Sequence, residues 1–270
     1  MSEWWTYTLS DFLMFSPRVY YRLLELHNRE LWPAQLVTLA LGAAMFLRLA
    51  MLVVPTAYAG RSGRAAPAAR TGTADHRRSS SFSDSPKKLP ASPATDRLIF
   101  AILGTMFLWI AWSFFWERYA TINWAAPYVT PAFALEGLLL IWFGAIHPRL
   151  AFASTGTELD IVALALFAFA IAAYPLLPIF LGRSLASAEI FGLAPDPTAI
   201  ATLAALALAR GQFRWALMII PALWCVITGA TLWTMESAEF FVAPAAAVVT
   251  VAIAVVENRN RVLRAPGANG

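Results

Sequence analysis

The chain has 270 residues, 59% of them hydrophobic and 13% charged, with a formal net charge of +4 and a mean hydropathy of +0.61. A soluble domain this apolar lacks the polar surface to stay dispersed, so the composition excludes an ordinary water-borne globule and points to the bilayer. A pI near 9.5 needs no nucleic-acid partner, because basic residues hold loops at an anionic leaflet.

In chain order, residues 1–31 read as an outer region. Met1–Tyr7 shows neither the basic start nor the short apolar core of a cleavable signal peptide, so the first span is expected to act as the targeting signal. Ser16-Pro17 is a helix start: the serine oxygen can accept from a free amide, and proline at the first helical position loses nothing by lacking its N–H. The turns that follow place Tyr20, Leu23, Leu24, His27 and Leu31 near one face, with Arg18, Arg22, Glu25 and Arg29 mostly on the other. Two placements fit this pattern. The helix lies in the interface with Trp4, Trp5, Tyr7 and Trp32 as headgroup anchors, or it packs on the mouth of the bundle.

Residues 32–256 contain seven apolar stretches: Trp32–Val54, Leu98–Trp116, Tyr128–Ile146, Leu159–Leu181, Pro197–Ala209, Phe213–Thr234 and Phe240–Val256. The fifth is short for a hydrocarbon core that takes about 20 helical residues, so it is tilted, extended by Arg210 and Gly211, or only partly inserted. Seven crossings put 14 of the 20 basic residues on one side and 5 on the other, with Arg48 inside a span. By the positive-inside rule the N-terminus is then outside and the C-terminus cytoplasmic. The expected fold class is an all-α polytopic membrane helix bundle with seven transmembrane helices plus an N-terminal interfacial helix, a basic cytoplasmic loop at 55–97 and a cytoplasmic tail at 257–270. Within the loop, Tyr58–Pro93 is rich in Ala, Ser, Pro, Gly and Arg and is expected to be disordered. It reads as a solvated tether able to meet anionic lipids; Ser79, Ser80, Ser81, Ser83 and Ser85 beside Arg77, Arg78, Lys87 and Lys88 are phosphorylation candidates.

Polar groups inside spans are where function is expected to show, because an ionisable side chain in hydrocarbon costs about 2.5–3.5 kcal/mol unless it meets water or a partner. Arg48 is about 9 Å of helix from Val54 and can snorkel to the cytoplasmic headgroups. Glu136 lies about 12 Å along the helix from Tyr128, too far for a short side chain to escape. It is therefore protonated, paired or in a wet cavity, with Arg118, Asn123 and Tyr174 as candidate partners. A second candidate is Tyr174–Thr198. Pro175 and Pro178 loosen the fourth span, Asp196 can cap the fifth helix with Pro197 in its first position, and Thr198 adds a hydroxyl. A short helix starting near the interface resembles the half-helices that bind ions in transporters; an ordinary capped outer loop is the structural alternative. Small residues Ala201, Ala205 and Ala209, with Ala243 and Ala247, predict close helix packing, and Thr157-x-x-Asp160 predicts a capping box.

The lone Cys225 rules out an internal disulfide framework and a cysteine metal cluster. His27, His76 and His147 are too far apart for an HExxH pair, and Walker, dinucleotide and GxSxG motifs are lacking. His147, which ends the third span, reads as a helix-end hydrogen-bonding group rather than a ligand. No metal, cofactor or enzyme activity is expected.

Trp32-Pro33-Ala34-Gln35, Ile122-Asn123, Tyr174-Pro175, Phe191-Gly192, Pro195-x-Pro197-Thr198 and Ile220-Pro221-x-x-Trp224 occur here in the order they have in the DUF6064 family of uncharacterised bacterial multi-pass membrane proteins, which the chain resembles over nearly its whole length. The resemblance implies a helical inner-membrane protein, and members are often labelled permease-like. The family pattern has cysteine between the two prolines and a shorter loop where Pro55–Arg97 stands; with Asp196 at that position, a thiol or soft-metal role does not carry over. The leading functional expectation is permease-like transport of a small solute or ion past Glu136, Tyr174, Asp196 and Thr198. A non-transporting membrane scaffold or sensor, using the basic loop and tail, is the alternative, and an intramembrane enzyme comes third.

Overall fold

A computed structural model describes residues 15–64 and 93–264; Trp4, Trp5, Tyr7, His76, the serines of residues 79–85 and the tether expected beyond Arg64 lie outside the described residues. The described chain is helical apart from one short two-stranded ribbon. Its order is α1 Pro17–Glu30, α2 Ala34–Arg64, α3 Pro93–Ile110, α4 Ala126–Leu140, β1 Leu150–Phe152, α5 Glu158–Ala168, α6 Leu177–Phe180, α7 Pro195–Leu208, β2 Ala209–Gly211, α8 Arg214–Thr234 and α9 Val242–Arg264. Six helical segments are long and apolar enough to cross a membrane: Ala34–Val54, Pro93–Thr121, Ala126–Ile146, Glu158–Phe180, Arg214–Thr234 and Val242–Asn260.

The predicted fifth span departs from this set. It is α7, 14 residues long, and every one of its residues is buried. It packs against α3, α5, α8 and α9, so it lies inside the bundle rather than against lipid. At 1.5 Å per residue it is about 21 Å long, short of a hydrocarbon core of about 30 Å. Small residues let the neighbours close in: Ala201 and Ala205 on α7 and Ala209 just past its end are fully buried.

The N-terminal helix packs on the bundle, as the second of its two expected placements requires. Ser16 accepts from Val19 N–H and Pro17 follows it, as the sequence requires. Tyr20, Leu23, Leu24 and His27 are buried against the bundle. Asn28 donates to the carbonyls of Ala186 and Ala188 at 2.8 and 2.7 Å, which ties α1 to the segment before α7. We call the end of the bundle that carries α1 the first face.

Three long helices widen before they end. α3 continues as a π-helical stretch over Ala111–Trp116, α4 over Ile141–Ile146 and α5 over Phe169–Ala173. The extra residue per turn in α3 turns Phe114 and Phe115 inward together, both buried. After α5, Pro175 and Pro178 stand in a tight turn, Tyr174–Leu176, and the short α6, the loosening their missing amides predict. Between α3 and α4 the backbones touch at Gly104 and Gly137; a Cβ on either would stand 2.6 or 2.7 Å from the other's carbonyl oxygen.

At the second face β1 and β2 pair antiparallel, Ala151 opposite Arg210. Three expectations are corrected on this side. α2 does not give way at Tyr58 but continues to Arg64, beyond the expected end of the first span. Arg48 does not reach for headgroups; it lies 3.7 Å from Asp96, whose other oxygen accepts from Phe152 N–H. Thr157 is the N-cap of α5 but its side chain makes no capping bond; Asp160 instead reaches back to the amides of Thr155 and Gly156.

Candidate functional site

The first turn of α7 builds the site. Ala194 is the N-cap, with Pro195 in the first helical position, so Asp196 stands inside the first turn rather than capping it as expected. The preceding turn passes through Gly192 at φ +81, where a side chain would be strained and would press on Met106. Thr198 locks that turn: its hydroxyl accepts from Gly192 N–H at 2.8 Å and donates to Ala194 O at 2.7 Å.

Asp196 is fully buried and accepts three side-chain hydrogen bonds from two other helical segments. Trp224 Nε1 and Thr228 Oγ1, both on α8, donate to Oδ1 at 2.7 and 2.8 Å, and Tyr174 Oη, past the end of α5, donates to Oδ2 at 3.0 Å. The positive end of the α7 dipole lies beneath it. Each of these hydrogen bonds favours the charged carboxylate by about 1.5–3 kcal/mol and so opposes the cost of taking it out of water.

Two more carboxyl groups stand nearby. Glu189, in the segment before α7, is 6% exposed and accepts from Tyr20 Oη at 3.3 Å. Burial first, and then the charge of Asp196, raise its pKa well above the ordinary glutamate range; burial and the same two carboxyl groups raise that of Tyr20. Glu239, before α9, receives Arg183 Nη2 on both oxygens at 2.6 Å and Tyr21 Oη at 3.2 Å. Arg183 also lies over the Tyr21 ring, 3.9 Å from its centre. His27 on α1 directs Nε2–H at Leu193 O, in the turn before α7, at 3.2 Å; burial lowers its pKa to about 4, so it is neutral at physiological pH.

A second polar cluster lies at the opposite end of α7. Arg210 Nη2 is 2.7 Å from Glu257 and 3.7 Å from Asp160, and Arg214 donates to Ala209 O and Ala254 O beside the same glutamate. Asp160 Oδ2 accepts from Ser154, Thr155 and Gly156. Thus α7 has a buried ionisable cluster at each end.

The structure brings together Tyr174 and Asp196, with Thr198 holding the turn that presents them. Glu136 is elsewhere, on α4. It is fully buried and neither carboxyl oxygen has a hydrogen-bond partner among the described residues. None of its expected partners meets it: Arg118 pairs with Glu30, Asn123 accepts from Ala125 N–H, and Tyr174 serves Asp196. Phe133, one turn away on the same buried stripe, packs edge-on to Trp224 at 5.4 Å, so an aromatic layer adjoins both sites. Trp224, Thr228, Glu189 and Tyr20 were not singled out for function by sequence reading. Only the Ile220-Pro221-x-x-Trp224 motif signalled one of them. Among the described residues no group of three or more His, Cys, Asp or Glu could hold a metal ion.

A family model described as "Family of unknown function (DUF6064)" matches residues 89–265, which include the site from α3 to α9 and leave Trp32-Pro33-Ala34-Gln35 outside. No curated protein and no solved structure matches the chain.

Proposed function

The chain belongs to the DUF6064 family, and we propose that it is a permease-like integral membrane protein that passes a small solute or ion through the bundle along α7. One observation carries this reading: a fully buried helix of about 21 Å ends in a polar cluster at both faces, so the apolar barrier inside the protein is thinner than the surrounding lipid. Buried ionisable groups are costly in a bundle and commonly mark a pathway. Between the clusters, Thr202 Oγ1 on α7 is buried without a hydrogen-bond partner among the described residues, free to serve a passing species. The basic residues Arg149, Arg210, Arg214 and Arg259 gather at the second face, and on the positive-inside rule we place that face toward the cytoplasm of a bacterial inner membrane.

The test is flux in proteoliposomes under imposed gradients of protons, sodium, chloride and small neutral solutes. For one of these probes, flux well above protein-free vesicles and at least a tenfold fall in D196N are expected, with Y174F intermediate. Flux equal to empty vesicles for every probe, or a folded D196N as fast as the parent, contradicts the reading. Elution as a single detergent-solubilised species establishes that each variant is folded.

A further inference from the structure

We propose that Glu189 and Asp196 together bind one exchangeable proton, delivered by water through a crevice between α1, the end of α3 and α8 at the first face. The inference rests on the permease-like reading and names the species handled at this site.

The chemistry of the donors selects a proton over a metal cation. Asp196 is faced from three sides by hydrogens, from Tyr174, Trp224 and Thr228, and an indole N–H has no lone pair to offer a cation. Glu189 is different. It is 94% buried, Oε1 accepts from Tyr20, and Oε2 has no hydrogen-bond partner among the described residues although the side chain lies beside Asp196. Two carboxylates in one water-poor pocket do not both ionise readily, so one proton shared by the pair relieves their repulsion. The unpartnered oxygen is the place for it.

The groups that face the pair sharpen this. They are Tyr20 and Tyr21 from α1, Tyr119 beyond α3, Tyr174 beyond α5, Cys225 from α8, and Arg183 with Glu239 from the two neighbouring loops. Arg183 is the cation in this set, and its Nη2 is committed to Glu239. Arg183 therefore offsets the charge of the pair only in part, across its bond to Glu239.

Access is visible in the packing. A cavity with about 10 Å³ of space for a water centre, room for about one molecule, is lined by Tyr20, Tyr119, Trp224, Thr228 and Thr231. Tyr20 is bonded to Glu189, and Trp224 and Thr228 to Asp196, so the cavity wall is the inner shell of both carboxyl groups. The step balances simply: hydronium in the crevice gives its proton to the Glu189 carboxylate and becomes water, and release reverses it.

Infrared spectra of the purified full-length protein, recorded across pH in H2O and D2O, test this. A carboxylic-acid C=O band should grow on acidification, shift in D2O, and keep its midpoint when sodium replaces potassium. E189Q should lose that component, E136Q should retain it, and Y20F, which keeps the carboxyl but removes its donor, should shift it. Identical titrating bands in parent and E189Q overturn the proposal, and a midpoint that moves with sodium overturns it in favour of a sodium site. Proteoliposome flux without the band sinks the proton pair and leaves the permease reading standing; the band without flux does the reverse.

Discussion

At the scale of single residues, the site depends on where hydrogens point. Asp196 was visible in the sequence as an acid between two prolines at a helix start, and Tyr174 as a polar residue at the break in the fourth span. Its donors were not, because Trp224 and Thr228 lie 28 and 32 positions away and look like ordinary members of an apolar helix. Glu136 was legible as a buried carboxyl but its surroundings were not; side chains several helices apart decide them. His27 carries a pH signature. Its folded-state pKa of about 4 lies below the unfolded value of 6.5, so the unfolded chain takes up a proton that the folded one refuses as pH falls between them. Stability from this group is full above about pH 6.5 and lost toward pH 4, by on the order of 3 kcal/mol for a shift of this size. Thermal unfolding in detergent at pH 7 and pH 5 should show a larger drop for the parent than for H27Q, which keeps a donor for Leu193 but does not titrate. Equal drops would mean that His27 is not the buried neutral group described.

At the scale of elements, helix identity followed from apolar length and periodicity, and helix contact did not. The alanine ridge on α7 was readable because three small residues recur at four-residue spacing. The close approach of α3 and α4 uses single glycines instead, Gly104 and Gly137, which no spacing rule pairs. Their contact is backbone to backbone, so an added methyl cannot be absorbed by a rotamer change. G104A and G137A should each lower stability, by about 1–3 kcal/mol if the helices separate as an overpacked core does. At Gly182 an added Cβ would meet nothing within 4 Å but φ is +66, so a substitution there reports backbone strain without a clash. Apparent melting temperatures of the purified variants measure the effect; values equal to the parent would show that α3 and α4 do not touch at these positions. The π-helical ends of α3, α4 and α5 likewise escaped the sequence reading, since an extra residue in a turn leaves no compositional mark.

At the scale of the molecule, the alternation of basic residues and the seven apolar stretches foretold a helical bundle, and the structure shows why one stretch looked too short. A helix wrapped by protein need not match lipid thickness; its ends need polar partners instead, and α7 has Asp196 at one and Arg210 with Asp160 and Glu257 at the other. Charge counting could not reveal this, because it treats each stretch as lipid-facing. The same arrangement makes the central claim testable at one side chain. Thr202 sits midway along α7, is fully buried, and its hydroxyl has no hydrogen-bond partner among the described residues. With Cys225 replaced by alanine the chain has no cysteine, so T202C can be probed alone in membranes with a small water-borne cationic thiol reagent. If a route runs along α7, T202C is modified in the folded protein and flux falls with the extent of labelling, while the cysteine-free parent is unaffected. Labelling of T202C only after denaturation would contradict the account.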